Sequence, residues 1–192
     1  MKLFKPSEKI LEIICSDVDE LSYSYEIYPK RTMNLNERDV RLFVPRLYSG
    51  IQEFYDLGLE IRVGGRLAYQ KIWNVSGEAL KNCYDHGPKN KEVLFGLFLG
   101  DKGVCYGFCD QGGYFKNEKI KNQYENKVEI TEFNKRTLKD NHQSGVNENI
   151  FCYSDFIEVD SEKGILYCVQ LKENIIAPEG EKGNSYFFKR DG

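Results

Sequence analysis

Two spacings of apolar residues alternate along the chain and divide it into helices and strands. Behind Pro6-Ser7, the positions Ile10, Leu11, Ile14, Val18 and Leu21 recur at helical intervals, which predicts a capped amphipathic helix. Leu21 to Tyr28 then alternates polar and aromatic residues, as a short strand does, and ends at Pro29. Asn36 stands where a helix cap belongs. Leu42, Leu47, Ile51, Phe54 and Leu57 supply the inward face of a helix from about Glu37 to Leu57, kinked at Pro45 and terminated by Gly58. From about Arg66 to His86 the helical interval returns, with Ala68, Ile72, Val75, Ala79 and Cys83 as the buried stripe. Asn74, Glu78, Asn82 and Asp85 run along the flank beside it, and Gly87-Pro88 stops the helix.

Glu92 to Leu99 and Val104 to Cys109 are strongly apolar and flank Gly100-Asp101-Lys102-Gly103, the pattern of a hairpin covered by helices. After Asp110-Gln111-Gly112-Gly113 the composition changes to Lys, Asn and Glu, and residues 114–144 read as a long mobile loop. A short helix around Val146 to Tyr153 precedes a closing hairpin, Phe156 to Asp160 and Gly164 to Leu171. Residues 1–20 are therefore expected as an N-terminal helical extension and 21–171 as the main domain. Residues 172–192 are expected as a loosely attached tail, despite Tyr186, Phe187 and Phe188.

The 192 residues can bury one sizeable core, and 41% hydrophobic with 30% charged residues describes an ordinary globular chain. A net charge of -3 argues against a general nucleic-acid binder, which needs a strongly basic face. The N-terminus carries no apolar stretch of signal-peptide length, and Val93 to Leu99 is too short to span a bilayer, so a cytoplasmic location without membrane contact is expected. Six cysteines raise the question of zinc or disulfides. Cys105 and Cys109 share a predicted strand, where four residues separate them by roughly 13 Å, too far for a bridge or a shared metal. Cys15, Cys83, Cys152 and Cys168 are scattered through apolar patterns and read as free thiols, and His86 and His142 lack partners at zinc spacing.

Glu78 and Asn82, one helical turn apart, project a carboxylate and an amide oxygen from one side of the central helix. Glu78-Ala-Leu-Lys-Asn82-Cys-Tyr-Asp-His86-Gly87 resembles the N-box of the GHKL (Bergerat-fold) ATPases, and is most similar to that of the anti-sigma-factor serine kinases. Asp110-Gln-Gly112-Gly113, at the end of a strand, resembles the family's Asp-x-Gly-x-Gly box. The order helix, hairpin, loop, helix, hairpin fits both motifs and covers about residues 60–171. The resemblance implies a two-layer α/β sandwich (α+β), with a mixed, mainly antiparallel sheet covered by helices and ATP held between the helical layer and a lid at about 114–144. It implies Asn82 as the Mg²⁺ ligand and Glu78 as general base. Asp110 would be the acceptor of the adenine amino group, with Asp85, Gly112, Gly113 and Gly145 lining the nucleotide site. The activity implied is Mg²⁺-dependent phosphoryl transfer to a protein serine or threonine, or ATP hydrolysis, in a regulatory protein with a protein partner. A homodimer is compatible with it. The alternative is a degenerate GHKL-fold interaction module without ATPase activity.

Departures from the family pattern define the competing readings. Tyr114 replaces the last glycine of the first box. Only Gly145 of His142-Gln-Ser-Gly145-Val-Asn147-Glu148-Asn149 remains of the second, whose backbone N–H groups meet the triphosphate in the family. Asp110 beside two glycines also describes a tight strand-ending turn, and Asp85 and His86 suit hydrogen bonding at a helix C-terminus. Lys116, Lys119, Lys121, Lys135 and Arg136 fit phosphate contacts from the lid and equally a solvated lysine-rich loop.

Overall fold

The computed structural model describes residues 3–28, 36–56, 64–87, 92–111, 113–125, 150 and 153–176. Five strands form one sheet: β1 (Ser22–Tyr28), β2 (Val93–Leu99), β3 (Gly103–Cys109), β4 (Phe156–Asp160) and β5 (Ile165–Leu171), in the order β1-β2-β3-β5-β4. Every pairing is antiparallel, so the sheet is not mixed as expected. The fold is α+β. Both hairpins lie where the apolar runs and glycine turns predict them, with Leu94 opposite Cys109 and Val159 opposite Leu166.

The strands β2, β3 and β5 are buried on both faces, which explains their near-continuous hydrophobicity. Val93, Phe95, Leu97, Leu99, Val104, Tyr106, Phe108, Leu166 and Cys168 meet the main helical layer. That layer comprises α2 (Asn36–Phe54) and a continuous helix made of α3 (Gly64–Ile72), a wide π-helical turn (Trp73–Gly77) and α4 (Glu78–His86). Helix α2 runs through Pro45, and its buried residues include Phe43, Val44, Leu47 and Ile51. Leu42 is 57% exposed and Phe54 is also exposed, so two positions expected inward face solvent, while Leu57 lies outside the described residues.

The opposite face carries a second core, built by α1 (Glu8–Ile14) and the segment before it. Ser7 caps α1 by accepting from the Ile10 amide. Phe4, Ile10, Ile14 and Cys15 pack on Leu94, Phe98, Cys105, Ile165, Tyr167 and Val169. Tyr167 Oη donates to the Lys5 carbonyl at 2.8 Å, and the Lys102 amide donates to the Ile14 carbonyl at 2.9 Å. The described part of the expected extension is thus a third layer of the fold, because its apolar stripe closes the sheet face that the main helices leave open.

Two other expectations change. The stretch read as a loop from residue 114 begins with α5 (Glu118–Glu125), anchored by the buried rings of Phe115 and Tyr124 and lying against β4. The stretch read as a tail begins with α6 (Lys172–Ile176), whose Ile175 is buried. The buried Lys71 of α3 donates to the Asn174 carbonyl at 2.7 Å and ties α6 down. Residues 126–149 and 177–192 lie outside the described residues, as does most of the helix expected at Val146 to Tyr153.

Candidate functional site

The central helix positions the candidate residues. All five residues of the predicted stripe, Ala68, Ile72, Val75, Ala79 and Cys83, are buried. The wide turn at Trp73–Gly77 adds to this pattern. An extra residue in one turn rotates everything after it by about 100°, so the buried face of α4 broadens. Leu80 and Tyr84, which lie beside the plain helical stripe, are buried together with Asn82. Inside the turn, Ser76 Oγ donates to the Ile72 carbonyl at 2.7 Å, which satisfies a hydroxyl with no access to water.

Asn82 is 5% exposed, and its Nδ2 has no hydrogen-bond partner among the described residues. Glu78, one turn earlier, is half-buried. Asp85 is exposed, pointing to the solvated rather than the sheet-facing side.

Across from α4 lies the turn that follows β3. Asp110 is fully buried. Its carboxylate accepts from the Gly113 amide at 3.4 Å and the Tyr114 amide at 2.7 Å, the geometry of an aspartate closing its own turn. Gln111 takes a left-handed backbone, φ 57°, inside that turn. The β4–β5 turn backs it: the Asp110 amide donates to the Gly164 carbonyl, and a Cβ placed at Gly164 would lie 3.2 Å from Asp110 Oδ1. Gly113 is exposed, and Gly112 and Gly145 fall outside the described residues.

No protein-family model matches the chain, and no curated protein does either.

Tyr114 joins the two halves of the site. Its ring stacks on His86 at the end of α4, with centroids 4.9 Å apart and planes at 24°. Burial raises the Tyr114 phenol above its usual pKa; a hydrogen bond with Tyr124 opposes the rise, and the neighbouring Cys83 and Glu78 add to it. Phe115 meets Tyr114 and Tyr124 edge-on, at 5.2 and 6.0 Å, and completes an aromatic floor. The spacing of apolar residues does not reveal this cluster. Its signal is the Tyr114-Phe115 pair directly behind a glycine turn, followed by Tyr124 in otherwise polar sequence.

Among the described residues no group of three or more His, Cys, Asp and Glu side chains could hold a metal. Any ion at Asn82 would be a largely hydrated one arriving with its anion, as Mg²⁺ does with phosphates. Among the described residues Cys15, Cys105 and Cys109 are free thiols, and Cys152 lies outside the described residues. Lys116 is exposed and Lys121 half-buried, whereas nothing is described of the Lys119 side chain or of Lys135 and Arg136. No helix among the described residues is long and apolar enough to cross a membrane.

Proposed function

We propose that the chain is a GHKL-type ATP-binding domain, most similar to the anti-sigma-factor serine kinases, working in the cytoplasm on a protein partner. The observation that carries this reading is the Asn82 amide, buried with its Nδ2 unmatched among the described residues, one turn after a half-buried carboxylate. An unsatisfied buried amide costs about 1–3 kcal/mol, a cost that makes sense where a ligand later meets the group. The element order agrees: the helix bearing Glu78 and Asn82, the hairpin ending at Asp110, and a closing hairpin that joins the same sheet.

In this reading Asn82 Oδ1 offers Mg²⁺ the hard oxygen it prefers, and Nδ2 donates to a phosphate oxygen. The ion, when bound, supplies neutralisation of phosphate charge. Glu78 accepts the proton of the attacking serine hydroxyl or water. Asp110, which holds the 113–114 backbone, orients adenine by accepting from its amino group. Tyr114, braced by His86, offers a ring beside the base.

The second reading, a GHKL-fold interaction module without ATPase activity, is favoured by the same Asp110, which is sealed from solvent and already engaged. Calorimetry separates the two. ATP with Mg²⁺ should release heat on binding the wild-type chain, and Asn82→Ala should abolish it. Glu78→Ala should bind ATP normally but lose phosphate transfer or hydrolysis by a hundredfold or more, of order 10²–10⁴ for a general base. Absence of binding heat in the wild type would establish the interaction module instead.

A further inference from the structure

The strand β1 is an edge of the sheet. It pairs with β2 over its whole length, and among the described residues no strand pairs along its other side. Exposed edges invite pairing with another chain, and proteins commonly block them with lysine, proline or a covering element. β1 reads Ser22-Tyr-Ser-Tyr-Glu-Ile-Tyr28, with neither lysine nor proline and one charge, Glu26.

The two faces of β1 differ. Tyr28 packs on Phe43 and Glu26 pairs with Arg46 at 3.2 Å, so Ser22, Ser24, Glu26 and Tyr28 face α2. Tyr25 packs on Phe4 and Phe98, so Tyr23, Tyr25 and Ile27 face the α1 side. Tyr23 is 57% and Ile27 52% exposed there, among the most exposed large apolar side chains described.

We propose that β1 is a self-pairing edge, joining two copies antiparallel about a two-fold axis through Tyr25 into one continuous sheet. The sequence is complementary to itself in this register. Tyr23 lies opposite Ile27 of the second copy, Tyr25 opposite Tyr25, and Ser22 opposite Tyr28. Ser24 lies opposite Glu26, a hydroxyl donor facing a carboxylate. A shift that centres the axis on Glu26 sets like charges face to face, and a one-residue slip turns the aromatic face of one copy onto the polar face of the other. A seven-residue ladder buries less than the ~800 Å² per partner of a stable interface, so the dimer is weak and reversible. The pairing is independent of nucleotide binding.

Sedimentation velocity over a wide concentration series tests it, with circular dichroism to verify that each variant is folded. The wild-type chain should show a concentration-dependent monomer–dimer equilibrium. Ser24→Glu places a carboxylate opposite Glu26 twice by symmetry and should weaken the dimer about tenfold. Ser24→Lys places an ammonium there and should leave the dimer intact or tighten it. A wild-type chain that stays monomeric at every concentration overturns the proposal. So does a dimer that both variants affect alike, or that neither affects.

Discussion

Asn82, on α4, is 5% exposed, and its Nδ2 has no partner among the described residues. Removing an unsatisfied polar group while keeping its volume recovers the desolvation cost, so Asn82→Leu should raise the urea midpoint, by the equivalent of about 1 kcal/mol. The same variant should show no heat with Mg²⁺ and ATP. A lower midpoint would mean that the amide is matched in the free protein, and would remove the observation on which the nucleotide reading rests. Asp110 presents the opposite case. Its carboxylate already serves the Gly113 and Tyr114 amides and so has a structural role with or without a ligand.

Among the elements, the N-terminal segment depends on a glycine pair. Gly96 and Gly107 are cross-strand partners on the α1 face, and the Phe4 ring lies over them; a Cβ at Gly107 would overlap that ring. Phe4 is buried and meets Tyr25 and Tyr167 edge-on at 5.7 and 5.8 Å. Phe4→Ala should therefore destabilise by about 3–5 kcal/mol. Gly107→Ala should destabilise by about 1–3 kcal/mol through overpacking, each read from urea unfolding. If Phe4→Ala left stability unchanged, α1 would be an appendage. The central helix and both hairpins were legible in the sequence because each buries a face with its own period. The α1 layer was legible as a helix but not as a layer, since the slot for Phe4 exists only once strand register sets Gly96 beside Gly107. α5 was hidden because two aromatic anchors, Phe115 and Tyr124, are diluted by Lys and Asn. The broadened face of α4 was hidden because the wide turn shifts a phase that helical spacing assumes constant. For the site, Glu78 and Asn82 could be read from spacing, whereas the His86–Tyr114 stack joins residues far apart in the chain.

Across the molecule, two hairpin turns carry carboxylates held by hydrogen bonds, one linking α1 to the sheet and one closing its own turn, and these make the fold sensitive to acid. Asp101, in the β2–β3 turn, accepts from the Ser16 amide at 2.6 Å, linking the end of α1 to the sheet. Hydrogen bonding by Ser16 lowers the Asp101 pKa below the usual carboxylate value. In the β4–β5 turn, burial disfavours the Asp160 charge, but hydrogen bonds from Lys163, one of 2.7 Å from Nζ, outweigh it and lower that pKa also. A carboxylate with a depressed folded-state pKa stabilises the fold fully above its unfolded value of about 3.9, and the stabilisation is lost as pH falls through the folded value. The urea midpoint should therefore be insensitive to these two groups from pH 7 to about 5, then fall as the pH drops through about 4 and below. Asp101→Asn should lower the midpoint at pH 7 and flatten the acid decline, because the amide oxygen accepts from Ser16 without gaining from ionisation. An equal acid slope in wild type and Asp101→Asn would show that the link between α1 and the sheet contributes nothing to the pH dependence.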